Sequence, residues 1–145
     1  MLKNNTIFTV FTCFLAIFFP ACSSTKATTA AEFVQKHAKA YNLRDARAVA
    51  EMTLCAEDLS QTTVPQSIKD ELKAFHRDSL RGALKSEMKE GNQWVAAWED
   101  TKYISEKNQG EHINVKVKIG YAYSSIVLVQ VGKYLKIVPN PSSFE

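Results

Sequence analysis

The sequence predicts an α+β fold in which N-terminal helices pack on one face of an antiparallel sheet of four to five strands. Apolar residues recur at spacings of three and four through the first part of the chain, which is the period of an α-helix. From Trp94 onward the period changes to two, the period of a half-buried strand. Helices followed by a meander of strands indicate a sheet that is covered by helices.

Two short helices are predicted first. Glu32 stands three residues after Thr29, and this spacing predicts a capping box at the start of a helix. Asn42-Leu43-Arg44 ends that helix, and Asp45 caps or opens the second one. The positions of the first helix that are predicted to be buried are Phe33 or Val34, His37, Ala40 and Tyr41.

A long third helix is predicted from Pro65 to about Lys89. Proline suits the first turn of a helix, and Gly91-Asn92 would end this one. The residues before it, 58–64, are rich in threonine and predict an edge strand or a loop. The predicted core face of the long helix consists of Ile68, Leu72, Phe75, Ser79 and Ala83.

The sheet is predicted from alternation and from turn residues. In residues 113–121 apolar side chains alternate with polar ones, so one face of this strand should be buried and the other exposed. Residues 122–124 are predicted to form a turn, and Gly132-Lys133 predicts a tight hairpin with a positive φ at the glycine. The predicted strands are residues 95–106, 113–121, 125–131 and 134–138.

The first 21 residues have the layout of a secretory signal peptide. Lys3 is their only charged residue, and an apolar run follows from Ile7 to Phe19. A run of about 13 residues fits the central region of a signal peptide and is shorter than the roughly 20 residues that cross a bilayer. A permanent transmembrane helix is therefore not expected.

Cys22 stands directly after this segment. The stretch Phe19-Pro20-Ala21-Cys22-Ser23 resembles the lipobox of bacterial lipoproteins, in which the cysteine is acylated and becomes the new N-terminus. The resemblance implies that Cys22 is a lipid attachment site and, because Ser23 is not aspartate, that the protein lies on the periplasmic face of the outer membrane. The alternative is an A-x-A-like site for ordinary signal peptidase, which would leave a secreted or soluble periplasmic protein.

The remaining chain is predicted to be one domain. Residues 22–29 are predicted to be the lipidated cysteine and a polar tether. Residues 30–145 are predicted to form a single α+β domain. Without Lys3 the net charge is about +2, which is too mild to indicate a nucleic-acid partner. The histidines lack metal-ligand spacing and no glycine-rich phosphate loop occurs, so no metal or cofactor is expected. Cys55 is expected to be a buried apolar side chain.

Two segments of this domain carry a family resemblance. Residues 31–50, with Tyr41-Asn42-Leu43-Arg44-Asp45-Ala46 between two helices, look like the opening of NTF2-like (cystatin-like) domains, and residues 128–137 are similar to the hairpin that closes many of them. The family often has glycine where Arg44 stands. The resemblance implies a curved sheet and a conical cavity, which some members use as isomerases, dehydratases or hydrolases.

The resemblance and the helix pattern suggest two sets of candidate residues. The residues that could line a cavity are His37, Tyr41, Trp98, Tyr103 and Tyr121, although a packed core with a hydrogen-bonded histidine is the competing interpretation. Six cations follow one another at intervals of four along the predicted long helix, and they either form a solvated face or contact an anionic partner. These cations are Lys69, Lys73, Arg77, Arg81, Lys85 and Lys89.

Together these patterns predict a lipid-anchored envelope protein whose domain is a non-catalytic binding or interaction module. Its expected contacts are the membrane through acylated Cys22 and, at the basic helix, anionic lipid headgroups or an acidic envelope protein. The alternative is a small enzyme that uses the cone cavity, with His37 as the acid or base. A third interpretation is a homodimer that forms through the exposed sheet face.

Overall fold

The predicted α+β architecture is confirmed by a computed structural model, which describes residues 24–140. Helices precede a curved four-stranded antiparallel sheet in the order β1-β2-β3-β4, an arrangement consistent with NTF2-like domains. The predicted signal peptide, residues 1–21, and Cys22 lie outside the described residues. The helices are α1 (Ala30–Asn42), α2 (Ala46–Glu51), a 3₁₀ helix (Ala56–Gln61), α3 (Gln66–Leu72), α4 (Arg77–Glu90) and α5 (Gln93–Glu99). The strands are β1 (Lys102–Asn108), β2 (Ile113–Ile119), β3 (Ala122–Val131) and β4 (Tyr134–Ile137).

Helix α1 begins where the capping pattern predicts. The Thr29 hydroxyl accepts a hydrogen bond from the Glu32 amide at 3.2 Å, while the Glu32 carboxylate accepts one from the amide of Thr28 at 2.9 Å. The segment predicted as a tether packs on the domain before the helix begins. Ala27 is completely buried, and its carbonyl accepts a hydrogen bond from Leu135 in β4.

The alternation predicted for β2 is confirmed. Val115 and Val117 are buried against α1, whereas Lys116 between them is exposed. The second hairpin also has the predicted glycine conformation, with φ of +59° at Gly132. The predicted turn at residues 122–124 is wrong, because β2 ends at Ile119 and the turn consists of Gly120 and Tyr121, with φ of +58° at the glycine.

The strand predicted for residues 95–106 is wrong in its first half. Residues Gln93–Glu99 form α5, whose start is capped by Asn92, since its side-chain oxygen accepts the Val95 amide at 3.0 Å. Asn92 therefore starts a helix directly after Gly91 has ended the previous one in the left-handed conformation. Strand β1 begins only at Lys102.

The predicted long helix is also wrong, because the chain breaks after Leu72 and starts again at Arg77. Ile68 and Leu72 of α3 are buried as predicted, but Ser79 and Ala83 are exposed. The buried residues of α4 are instead Leu84 and Met88. The register of the core face therefore changes at the break.

The break lets the two helices contact different parts of the core. Residues of α3 pack with Val127, Val129 and Val131 on the sheet face opposite α1, because alternate residues of β3 point to opposite faces. Residues of α4 pack on α2 instead. One straight helix could not reach both places. The 3₁₀ helix holds the junction, since Ala56 donates its amide hydrogen to the Phe75 carbonyl at 2.8 Å.

Candidate functional site

Four aromatic side chains meet where the sequence predicted a cavity. Phe33, His37 and Tyr41 share one face of α1 because they are four residues apart, and Trp98 reaches them from α5. The His37 ring lies 5.4 Å from Phe33, 5.1 Å from Tyr41 and 5.1 Å from Trp98, measured between ring centroids. We call these four residues the aromatic cluster. It fills the space between α1 and α5.

The surroundings of the aromatic cluster keep its titratable groups neutral. His37 is only 4% exposed, and burial lowers the pKa of its imidazole to about 4. Burial, with a smaller contribution from Glu87, raises the pKa of the Tyr41 phenol to about 12. A neutral, enclosed imidazole packed by rings has no path to a substrate, so the arrangement is that of a core rather than of an acid-base pair.

The other two residues predicted to line a cavity lie apart from this cluster. Tyr103 is on the exposed strand β1, where its hydroxyl donates to Glu106 at 3.2 Å. Tyr121 is fully exposed in the turn between β2 and β3. The structure thus brings together three of the five predicted cavity residues and leaves two on the surface.

An apolar cleft of about 310 Å³ lies beside the aromatic cluster. Trp94 and Trp98 of α5 form one wall, and the part of β3 that extends beyond β4 forms another. No ionisable side chain lines this cleft, so it offers neither an acid nor a base. Neither His37 nor Tyr41 contributes to its lining.

The six cations predicted to form one row are separated by the helix break. Lys69 lies in α3 and Lys73 caps its C-terminal end, while Lys89 lies in the last turn of α4. Arg77, at the start of α4, is part of a structural ion pair. Arg81 and Lys85, in the middle of α4, lie together in an open cleft.

Arg77 is held by the carboxylate of Asp58. Its Nη2 donates to Asp58 Oδ2 at 2.6 Å, and Lys136 Nζ of β4 donates to the other carboxylate oxygen at 2.9 Å. Burial acts to raise the pKa of Asp58, but the hydrogen bonds from Lys136, the Cys55 amide and Arg77 outweigh it and hold this pKa below its usual value. We call Asp58, Arg77 and Lys136 the ion-pair lock.

Cys55 lies next to the ion-pair lock and is completely buried, as predicted. Burial raises the pKa of its thiol to about 11, so almost no thiolate forms near neutral pH. This environment argues against a nucleophilic role for Cys55.

A basic cleft of about 510 Å³ lies between the α1–α2 elbow and α4. Four cations line it, together with the carboxylates of Asp45 and Asp78. Asp45 accepts the Ala48 amide as the cap of α2, and Asp78 pairs with one cation. The cations of the basic cleft are Arg44, Arg47, Arg81 and Lys85.

The sequence indicated two of these four cations, Arg81 and Lys85, and missed the others. Arg44 has a φ of +55°, the left-handed conformation in which glycine or asparagine is favoured. An arginine in place of the glycine that the resemblance leads one to expect here was the available signal. The guanidinium of Arg44 forms an ion pair with Glu99 of α5. No pattern in the sequence indicated Arg47.

Comparison of the chain with protein-family models, with curated proteins and with solved structures found no match. Within residues 24–140, no group of three or more histidine, cysteine or acidic side chains could hold a metal ion. No helix in the same range is long and apolar enough to cross a membrane. The candidate site is therefore defined by its own geometry, and its main feature is the basic cleft.

Proposed function

We propose that the protein is a lipid-anchored cell-envelope protein whose α+β domain is a non-catalytic binding module. In this proposal, Cys22 carries the lipid and the basic cleft takes an anionic group, a phosphate or a carboxylate, of an envelope partner. The lipobox-like stretch ending at Cys22 supports the anchor. The aromatic cluster supports a module rather than an enzyme, because His37, the predicted acid or base, is enclosed among packed rings.

The observation that carries the binding proposal is the charge of the basic cleft. Arg44 and Arg81 have carboxylate partners, Glu99 and Asp78. Within the described part of the chain, Arg47 and Lys85 form no ion pair, and both line the cleft. Two cations that line an open cleft and form no ion pair of their own suit an anion, since hydrogen bonds between charged groups are the strong ones.

The position of the basic cleft favours a partner away from the anchored membrane. The chain from Cys22 joins the domain next to the start of α1, whereas Arg44 follows its end. A helix of 13 residues is about 20 Å long, so the cleft lies roughly that far from the attachment point. Ala27 is fixed to β4, so few residues separate Cys22 from the folded domain.

The anchor is tested by labelling cells with palmitate. The wild-type protein should incorporate label, and the Cys22→Ser variant should not, because serine cannot form the thioether. Equal labelling of the two proteins would contradict the anchor. The result does not depend on what the basic cleft binds.

The cleft is tested with the chain from Ser23 onward, which contains all the described elements, and with pyrophosphate as the anion. Titration followed by amide NMR should give saturable shifts around Arg47 and Arg81. Arg47→Gln/Lys85→Gln should bind at least about 100-fold more weakly, because each of the two lost charged hydrogen bonds is worth roughly 1.5 to 3 kcal/mol.

A matched control is Lys69→Gln/Lys73→Gln, which makes the same change in net charge outside the cleft. This control should bind pyrophosphate like the wild type. Equal weakening in both double variants, or shifts that do not saturate, would reject the cleft as the binding site.

A further inference from the structure

The outer face of the sheet carries a cluster of four lysines, of which the alternation in residues 113–121 indicated Lys116 and Lys118. Val115 and Val117 of β2 face α1, so the residues between and beside them point the other way. The register places residues of β1 and the first half of β3 on the same outer face. We call the lysines there, which are exposed or half-buried, together with Tyr123, the lysine face. Its lysines are Lys102, Lys107, Lys116 and Lys118.

The lysine face contains no carboxylate of its own. The other described residues that share it are Ser105, Asn114 and Ser125. Asp100, just before β1, contacts Lys102 at 3.5 Å. No described carboxylate forms an ion pair with Lys107, Lys116 or Lys118, and none of these side chains is buried.

The arrangement of these lysines is unfavourable for the isolated fold. Lys102 and Lys118 stand directly opposite each other on neighbouring strands, where like charges destabilise a sheet. The Lys116 ammonium lies 5.5 Å from the centre of the Tyr123 ring. This cation–π contact stabilises the ammonium but does not neutralise its charge. An anionic surface would neutralise the whole set.

We propose that the lysine face docks on an anionic phospholipid bilayer surface. Charge complementarity carries the proposal. The lysines spread over two strands and about 17 Å along them, an extended area rather than a pocket. Tyrosine and lysine are the residues that lie at headgroup level in membrane proteins, and the fully exposed Tyr121 stands at the end of the same hairpin as Lys118 and Tyr123.

The lysine face and the basic cleft lie on different sides of the molecule. The lysine face is on the side of the sheet opposite α1, whereas the cleft is built from α4 and the elbow that follows α1. Docking by the lysine face therefore leaves the cleft open to a partner. It also requires no acylation of Cys22, so it can be tested on the soluble chain.

The test measures sedimentation of the chain from Ser23 onward with vesicles of phosphatidylglycerol and phosphatidylcholine in equal amounts, at about 0.1 M salt. The wild type should bind these vesicles, should not bind pure phosphatidylcholine, and should bind less as salt increases. Lys107→Gln/Lys116→Gln/Lys118→Gln should bind about 100-fold more weakly, because each lysine contributes roughly a fivefold effect near an anionic surface.

Two controls separate this face from net charge and from the cleft. Lys39→Gln/Lys85→Gln/Lys89→Gln has the same net charge as the triple variant of the lysine face, and its lysines lie on α1 and α4 rather than on the side of the sheet that α3 shares with the lysine face. It should bind within about threefold of the wild type. Arg47→Gln/Lys85→Gln should also retain vesicle binding. Circular dichroism melting of each variant checks that it is folded.

Three results would overturn the proposal. They are equal loss of binding in the two triple variants, equal binding to neutral and anionic vesicles, and binding of the wild type to heparin but not to anionic vesicles. The last result would assign the lysine face to a soluble polyanion. The cleft experiment with pyrophosphate is independent of all three.

Discussion

The ion-pair lock and the lysine face show how the same kind of side chain takes two different roles. In the lock, Arg77 and Lys136 both contact the buried carboxylate of Asp58, and their side chains are only 20% and 14% exposed. On the lysine face, Lys107 and Lys116 are exposed and no described carboxylate pairs with them. A cation is therefore structural where the fold brings a carboxylate to it, and available to a partner where it does not.

The largest effect is expected from breaking the lock. Arg77→Gln should lower the free energy of unfolding by about 3 kcal/mol, because it leaves the buried Asp58 carboxylate with only Lys136 and the Cys55 amide. Urea denaturation at pH 7 measures this. Arg81→Gln, which removes an exposed pair with Asp78, is the matched control and should change stability by no more than about 0.5 kcal/mol. Similar losses in both variants would contradict the distinction.

The second prediction concerns His37, a buried base that, unlike the cations of the ion-pair lock, has no acid partner among the described residues. The pKa of His37 is about 4 in the folded chain and 6.5 when unperturbed, so the unfolded chain binds a proton first as the pH falls. The folded state should lose about 2 kcal/mol between pH 7 and pH 5 from this residue. Denaturation of His37→Phe across this range should show a flatter dependence.

The matched control for that experiment is His76→Gln, since the His76 side chain is more than half exposed. This variant should keep the pH dependence of the wild type. If His37→Phe keeps it as well, the imidazole of His37 is not held neutral by burial, and the role of the aromatic cluster as a closed core is wrong.

The smallest effect is expected on the lysine face. Lys118→Thr should raise the free energy of unfolding by up to about 0.5 kcal/mol, because it removes the repulsion from Lys102 and places a β-branched residue in a strand. Lys107→Thr makes the same substitution opposite Asn114 and should stabilise less. Thermal denaturation at low salt compares the two. A larger gain for Lys107→Thr would show that the Lys102–Lys118 pair costs the fold nothing.

The start of α1, the buried face of β2 and the second hairpin were predicted correctly because their signals are local. The alternation in residues 113–119 identifies the buried face of β2, and Gly132 identifies the second hairpin by the conformation that glycine allows. The start of α1 at Thr29 follows from a cap whose two partners are three residues apart. None of these features needs a distant part of the chain.

The errors occurred where two interpretations fit the same residues. Residues 65–89 contain no internal proline, and an unbroken helix suits them locally. The break appears because α3 packs on the outer face of β3 and α4 packs on α2. The period of two from Trp94 onward predicts a strand for residues 95–106. Val95 and Trp98 also have helical spacing, and Asn92 is a good helix cap.

The candidate site was predicted in parts. His37, Tyr41 and Trp98 do meet in one packed cluster, and Trp98 also forms part of the wall of the apolar cleft beside it. Arg81 and Lys85 do lie in an open cleft, but the other half of that cleft comes from the α1–α2 elbow. The lysine face could not be read from spacing, since it requires the register between β1 and β2.

The sequence by itself determined the α+β class, the order of helices before strands, the start of α1, and the alternation of β2, because caps, turns and periodicity act over a few residues. The tertiary structure alone decided the break between α3 and α4, the ion-pair lock and the two cationic surfaces. These depend on which side chains meet across the fold: Asp58 reaches Arg77 and Lys136, while no described carboxylate reaches Lys107 or Lys116. The sequence gives each cation the ability to bind an anionic group. The fold decides whether a carboxylate of the same domain forms that ion pair or whether the cation stays available to a partner.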